Sequence, residues 1–296
     1  FSLPNAMEID MTPFFAPFFA LFFGFSLGDA GYGLLFMIAA TVIKPRLKKE
    51  IKSYATLVQI LGFTTTLFGV LTGTLFGIQL AEVEALVQFK EKFIDNQELF
   101  NLAIGIGVVQ ILFGMALRVG NNIKQKGILH AISTLGWIFL IVSSLAYFGL
   151  IEDQAGNPQL WQNIYYVVAG MSGAMIVFFG NPSAGVFGSF GAGLWDVYSN
   201  ATGLLGDILS YIRLFALGIS SAILGLVFNQ IGLSLSPDIP VLGQLVFLII
   251  VLFGHSLNLF MASLGAFVHP MRLTFVEFYK NAGFTGGGRP YKPFSK

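Results

Sequence analysis

The chain has 296 residues, of which 55% are hydrophobic and only 10% charged, with 16 Lys and Arg against 15 Asp and Glu for a net charge of +1. Soluble domains carry about a quarter charged residues, so this composition, with 32 Phe, excludes an ordinary water-soluble globule. Cysteine is absent, which excludes a disulfide framework, a thiolate metal site and a thiol nucleophile.

Apolar segments run at about 14–43, 54–81, 99–118, 128–150, 161–180, 203–232 and 240–268, the last continuing as helix to about 280. Several exceed the ~18–20 residues that cross a bilayer as helix. Backbone groups in lipid must be satisfied within the segment, so these are helices; a barrel would show short alternating strands. The predicted fold is an all-α, polytopic membrane protein, residues 1–296 forming a single transmembrane domain in the lipid bilayer. Nothing at Phe1 resembles a signal peptide, and the chain is expected to be the membrane part of something longer.

The first segment has two readings. As one span it would put Asp29 near mid-bilayer and the N-terminus outside. But GFSLGDAGYG sets Gly24, Gly28, Gly31 and Gly33 around Asp29, a composition suited to a tight turn. Two short helices, about 12–27 and 30–43, would then form a hairpin, with Asp29, Gly28 and Gly31 as its structural turn. That gives eight transmembrane helices. The N-terminal tail has no Lys or Arg, so charge alone does not decide.

The later loops alternate in charge. Lys44, Arg46, Lys48, Lys49 and Lys52 fill 44–53; Arg118, Lys124 and Lys126 mark a connection near 118–127; Lys280, Arg289, Lys292 and Lys296 mark the tail. On the opposite side, 82–98 is rich in acids, 151–160 holds Glu152 and Asp153, and 233–239 holds Asp238. The positive-inside rule puts 44–53, 119–127, 181–202 and the C-terminus in the cytoplasm. Segment 183–201 is glycine-rich and reads either as an interfacial helix or as a plain loop. The last two segments, about 30 residues each, make about 45 Å of helix against a core of about 30 Å, so they tilt, bend or protrude.

Arg213 lies ten residues into its segment, about 15 Å at helical rise and so near the midplane, where a charge costs roughly 2.5–3.5 kcal/mol on insertion scales. Asp29 and Asp207 are its available partners within the chain. Asp207, six residues earlier, points roughly 120° away, so a carboxylate from another subunit is the better expectation. His255, Asn258, Ala262, Gly265, His269, Arg272 and Val276 follow a 3–4–3–4–3–4 spacing and form one stripe. Two histidines, an asparagine and an arginine on one stripe point to a hydrated path. The histidines lack a carboxylate at ligand spacing, so no metal is expected. Gly206, Ser210, Arg213, Leu217 and Ser220 form a comparable stripe, whose small neighbours also suit close helix packing.

The residues GDILSYIRLFALG, then GAFVHPMRLTFVEFYKNAGFTGGGRPYKPF, with FFGFSLGDAGYG near the start, closely resemble the membrane half of the V/A-type rotary ATPase stator subunit (subunit a, or subunit I in prokaryotes). The resemblance covers essentially the whole chain and lacks the family's cytoplasmic N-terminal arm. It implies eight helices with both ends cytoplasmic, which favours the hairpin at Asp29. It also implies translocation of H+ or Na+ against a rotating ring of small membrane subunits carrying an essential carboxylate, with peripheral-stalk and central-stalk subunits as further partners.

Arg213 and Arg272 fall on the family's two translocation arginines, between two offset half-channels. The eukaryotic branch has a glutamate at Ala262 and histidines at Asp207 and Ser221, so the pattern here is similar to the prokaryotic branch and implies a prokaryotic cell membrane. His255, Asn258 and His269 are the candidates for the non-cytoplasmic half-channel, with Ser220 on the pathway. Asp207, Ser210 and Glu277 are the cytoplasmic candidates, Glu277 having a solvated surface charge as its alternative reading. No nucleotide motif is present, so no ATP hydrolysis, cofactor or nucleic-acid partner is expected of the chain itself. The rival readings are a stand-alone secondary transporter, which would show an inverted repeat, and a structural membrane anchor, which would not need Arg213.

Overall fold

The computed structural model describes residues 4–5, 8–82, 93–151, 158–180, 185–237, 239 and 241–288. Most of the acidic stretch 82–98, together with Glu152, Asp153, Asp238, residues 181–184 and the tail cations Arg289, Lys292 and Lys296, lies outside the described residues. The chain forms two compact units. One contains Thr12–Gly107 and Leu209–Thr274, the other Phe1–Met11, Val108–Ile208 and Phe275–Lys296.

In the first unit, α1 (Thr12–Leu27) and α2 (Ala30–Ile43) are separated by Gly28 and Asp29. Helix α3 (Lys52–Thr72) packs against both. Gly24 of α1 meets Thr64, the Phe25 ring meets Phe68 edge-on at 5.5 Å, and the Gly28 carbonyl accepts from Thr72 Oγ1 at 3.2 Å. Those pairs ascend together, so α1 runs parallel to α3. Ala30 meets Gly69, Gly33 meets Thr66, Met37 meets Gly62 and Lys44 Nζ donates to Gln59 at 2.8 Å. Those pairs run in opposite order, so α2 is antiparallel to α3 and the chain reverses at Gly28–Asp29. A Cβ on Gly69 would overlap the backbone of Asp29 and Ala30. The small residues are what let these backbones touch.

Helix α3 stops at Gly73, whose φ of 68° makes a left-handed cap. The apolar segment expected to 81 instead turns into a hairpin of two short strands, β1 (Thr74–Leu75) and β2 (Ile78–Gln79). Its two-residue loop has positive φ at both Phe76 (49°) and Gly77 (70°), the conformation that matches strand twist.

Helix α4 spans Asn96–Lys126. The connection expected near 118–127 is therefore a single residue, Gly127, at φ 90°, because nothing between Arg118 and Lys126 breaks the helix. In the second unit α5 (Ile128–Ala146) and α6 (Pro158–Phe179) are antiparallel. Gly136 meets Ile176 at one end, and the Tyr147 ring stacks on Tyr165 at 4.9 Å at the other. Helix α7 is continuous over Gly185–Leu235, so the described part of segment 183–201 is neither a separate interfacial helix nor a loop. Its glycines serve packing: a Cβ on Gly193 would overlap the Val177 backbone. Helix α8 (Leu242–Arg272) carries Pro270 and widens into π turns over Leu273–Phe278, and α9 (Tyr279–Asn281) ends the helical run. Proline cannot donate to the preceding turn, and a π-bulge absorbs such a break.

Among the described residues, six helical runs are long and apolar enough to cross a membrane: Lys52–Thr72, Asn96–Gln125, Ile128–Gly149, Gln159–Phe179, Phe190–Leu235 and Leu242–Asn281. With 16 and 14 residues, α1 and α2 reach only about 24 and 21 Å, against a hydrocarbon core of about 30 Å. Apolar side chains such as Phe63, Leu209, Leu252 and Phe260 point outward at 57–67% exposure, as lipid-facing surfaces do.

Candidate functional site

Asp29 is 1% exposed and makes the first fixed point. As N-cap of α2 it accepts from the Gly31 and Tyr32 amides at 2.8 and 3.2 Å. The hairpin loop gives two more: Phe76 N at 2.9 Å and Gly77 N at 2.8 Å. Four backbone donors on one carboxylate tie the α1–α2 reversal to the end of α3, and offset the backbone strain of Phe76 at positive φ. A Cβ on Gly31 would overlap the Phe76 ring.

The turn delivers Tyr32 to the polar stripe of α8. Asn258, 1% exposed, donates through Nδ2 to Tyr32 Oη at 3.0 Å and to the Ser221 carbonyl at 2.9 Å. Tyr32 Oη lies 2.7 Å from His255 Nδ1, and His255 Nε2 lies 3.0 Å from Asn229 Oδ1. Asn229 Nδ2 donates to the Phe76 carbonyl at 2.9 Å. Because Tyr32 accepts from Asn258, its own proton goes to Nδ1; neutral His255 then carries its proton on Nε2 and donates to Asn229. The tautomer follows from the network. The result is one directed chain: Asn258, Tyr32, His255, Asn229, Phe76. Asn258 Oδ1 and Ser221 Oγ are buried beside it with no hydrogen-bond partner among the described residues.

Further along α8, His269 lies within electrostatic reach of both Arg213 and Arg272. Arg213 is half-buried on α7 and Arg272 is exposed. Among the described residues no carboxylate lies within ion-pair distance of Arg213. Asp29 is held by its four amides. Asp207, in the other unit, is 5% exposed and engaged by Asn281 Nδ2 at 2.8 Å and Lys280 Nζ at 3.3 Å. Both carboxylates considered as partners for Arg213 are thus used elsewhere.

Glu277 is 3% exposed, so it is not a solvated surface charge. Ser210 is buried at 8%, whereas Ser220 is exposed; it is the next residue, Ser221, that turns inward. Tyr32, Asn229 and Asn281 are not among the candidates drawn from the sequence, and Ser221 figures there only as a departure from the eukaryotic branch. Tyr32 stood in the glycine motif, but its partner is 223 residues away. Asn229 carried the one usable signal, an amide inside an apolar helix.

Six bilayer-length apolar helices with buried polar groups define an α-helical, multi-pass membrane protein. No family profile matches the chain, but full-length comparison finds clear relatives. V-type ATP synthase subunit I of Borreliella burgdorferi is 30% identical over 100% of this chain and 50% of its own length. A-type ATP synthase subunit I of Methanocaldococcus jannaschii is 32% identical over 99% of this chain and 46% of its own, and that of Archaeoglobus fulgidus 31% over 100% and 50%. The chain belongs to the V/A-type ATP synthase subunit I family, and it spans about half the length of the curated relatives it matches.

Proposed function

We propose that this chain is the ion-translocating membrane domain of a rotary ATPase stator, moving H+ or Na+ past the carboxylates of a rotating ring of small subunits. The observation that carries the reading is Arg213: a half-buried guanidinium in an apolar helix, with no carboxylate at ion-pair distance among the described residues. A charge in lipid is costly unless paired, so a carboxylate arriving on another subunit completes it. Facing Arg213, that carboxylate is held ionised and releases its ion. The guanidinium also repels cations and blocks a direct leak between the two access paths.

The Asn258–Tyr32–His255–Asn229 chain, with His269 nearer the arginines, supports assignment to the non-cytoplasmic half-channel. Asp207, Ser210 and Glu277 suit the cytoplasmic one. In this reading α1 and α2 complete a count of eight helices, both termini are cytoplasmic in a prokaryotic cell membrane, and the stalk subunits bind outside the chain. Arg272, exposed at the start of the π turns, is the second arginine of the path.

The test is Arg213→Ala in the assembled complex. ATP-driven ion transport into vesicles should be lost while ATP hydrolysis by the detergent-solubilised catalytic part persists. Intact transport would overturn the stator reading. Transport by the subunit reconstituted alone would favour a self-contained carrier.

A further inference from the structure

The unit containing Val108–Ile208 holds a cavity of about 160 Å³ that the transport reading does not use. It sits where α4 and α6 end and α5 begins, lined among others by Arg118, His130, Trp137, Gly180, Asp196 and Asn200. One ordered water needs only ~10–15 Å³, so the space is an order of magnitude too large for a single structural water.

Its charges are opposed but apart. Arg118 and Asp196 feel one another's field, yet they form no ion pair within 4.0 Å among the described residues. Both side chains lie where only a glycine leaves room: a Cβ on Gly283 would come within 3.0 Å of the Arg118 stem, and one on Gly180 within 3.0 Å of Asp196 Oδ2. Trp137 is 8% exposed, and its indole N–H has no hydrogen-bond partner among the described residues; nor does His130 Nδ1. A buried donor without an acceptor is a cost that a ligand removes. The cavity lining therefore combines a cation, an unmet N–H and a carboxylate.

The depth is that of lipid headgroups. Trp195 and Tyr198, flanking Asp196 on α7, are 68% and 64% exposed with their rings 5.8 Å apart. The Tyr147–Tyr165 stack marks the opposite end of α5 and α6. Aromatic girdles of this kind lie at the two membrane–water interfaces.

We propose that this cavity binds the headgroup of a zwitterionic phospholipid bearing a primary ammonium, with the phosphate on Arg118 and the Trp137 N–H, and the ammonium on Asp196. A headgroup with its ammonium replaced by glycerol leaves Asp196 facing no cation. A trimethylammonium leaves it without a donor.

The test uses the intact complex, delipidated and returned to nanodiscs of mixed phosphatidylethanolamine, phosphatidylcholine and phosphatidylglycerol, with retained lipid counted by mass spectrometry. About one phosphatidylethanolamine per complex should survive washing in excess over the bulk mixture. Asp196→Asn should lower that retention about tenfold, the loss of one charge-assisted hydrogen bond, without lowering phosphatidylglycerol. Trp137→Phe should weaken it several-fold as one donor is lost. Should a variant fail to assemble, the wild-type headgroup comparison still decides. Equal retention of phosphatidylglycerol would make this a simple anion site and overturn the proposal. Displacement by millimolar inorganic phosphate alone would assign it to free phosphate and overturn the lipid. No enrichment of any lipid would leave a water-filled cavity and overturn both.

Discussion

Tyr32 Oη lies 2.7 Å from His255 Nδ1, and that single contact joins the glycine-rich turn near one end of the sequence to the polar stripe near the other. Tyr32→Phe keeps the ring but removes the hydroxyl. It leaves His255 Nδ1 and one N–H of Asn258 without their partner, at a cost of about 1–3 kcal/mol. The thermal midpoint of the purified complex in detergent should fall, and ion transport should fall with it. An unchanged midpoint would mean that the network is not formed.

Asp29→Asn tests the carboxylate that takes four backbone amides. An amide side chain presents one acceptor oxygen and turns an NH2 toward the Gly77 or Phe76 N–H. We expect a loss of about 1–3 kcal/mol, read as increased amide exchange at Phe76 and Gly77 ahead of the rest of the chain. Unaltered protection there would refute the role given to Asp29.

Gly69→Ala places a methyl group on the backbone of Asp29 and Ala30, which cannot swing away as a side-chain tip can. Overpacking of this kind costs about 1–3 kcal/mol or more. Gly105→Ala, where a Cβ meets nothing within 4 Å, is the control and should be silent. Comparable melting temperatures for the two variants would contradict the close approach of α2 and α3.

Glu8 supplies a pH test outside the spanning helices. Partial burial raises its pKa, but hydrogen bonds from Thr285, Asn5 and Gly286 outweigh this and hold the carboxyl below the ordinary glutamate value. A depressed folded-state pKa contributes stability that is present above the unfolded value and is lost as pH falls through the folded one. The Thr285 and Gly286 amides should therefore stay protected at neutral pH and open only under acid, below an unfolded value near about 4.3. Rates are compared after correction for intrinsic exchange. Glu8→Gln should show no such acid step.

Much of the fold was legible because lipid leaves few choices. Apolar runs had to be helices, and the glycines around Asp29 marked where the first of them could turn, one of two readings that the structure decides in favour of the reversal at Gly28–Asp29. What escaped was continuity: Arg118–Lys126 and 185–201 are polar or glycine-rich enough to read as connections, yet they extend α4 and α7, since neither holds a proline. The candidate site was half legible. His255, Asn258 and the arginines stood out as polar groups in apolar helices, whereas Tyr32 and Ser221 acquire meaning through contacts across more than thirty residues of sequence. Periodicity along one helix does not carry that information.

The tip of the β-hairpin touches α7 at two adjacent turns: Gly77 lies against the Gly225 backbone, and the Phe76 carbonyl holds Asn229. The same two residues hang from Asp29, so the tip is braced at its root. A sideways load on the Arg213 helix therefore does not simply bend it. The push passes through a peptide-sized bearing into the α2–α3 pair, so the turn and the Arg213 helix yield together.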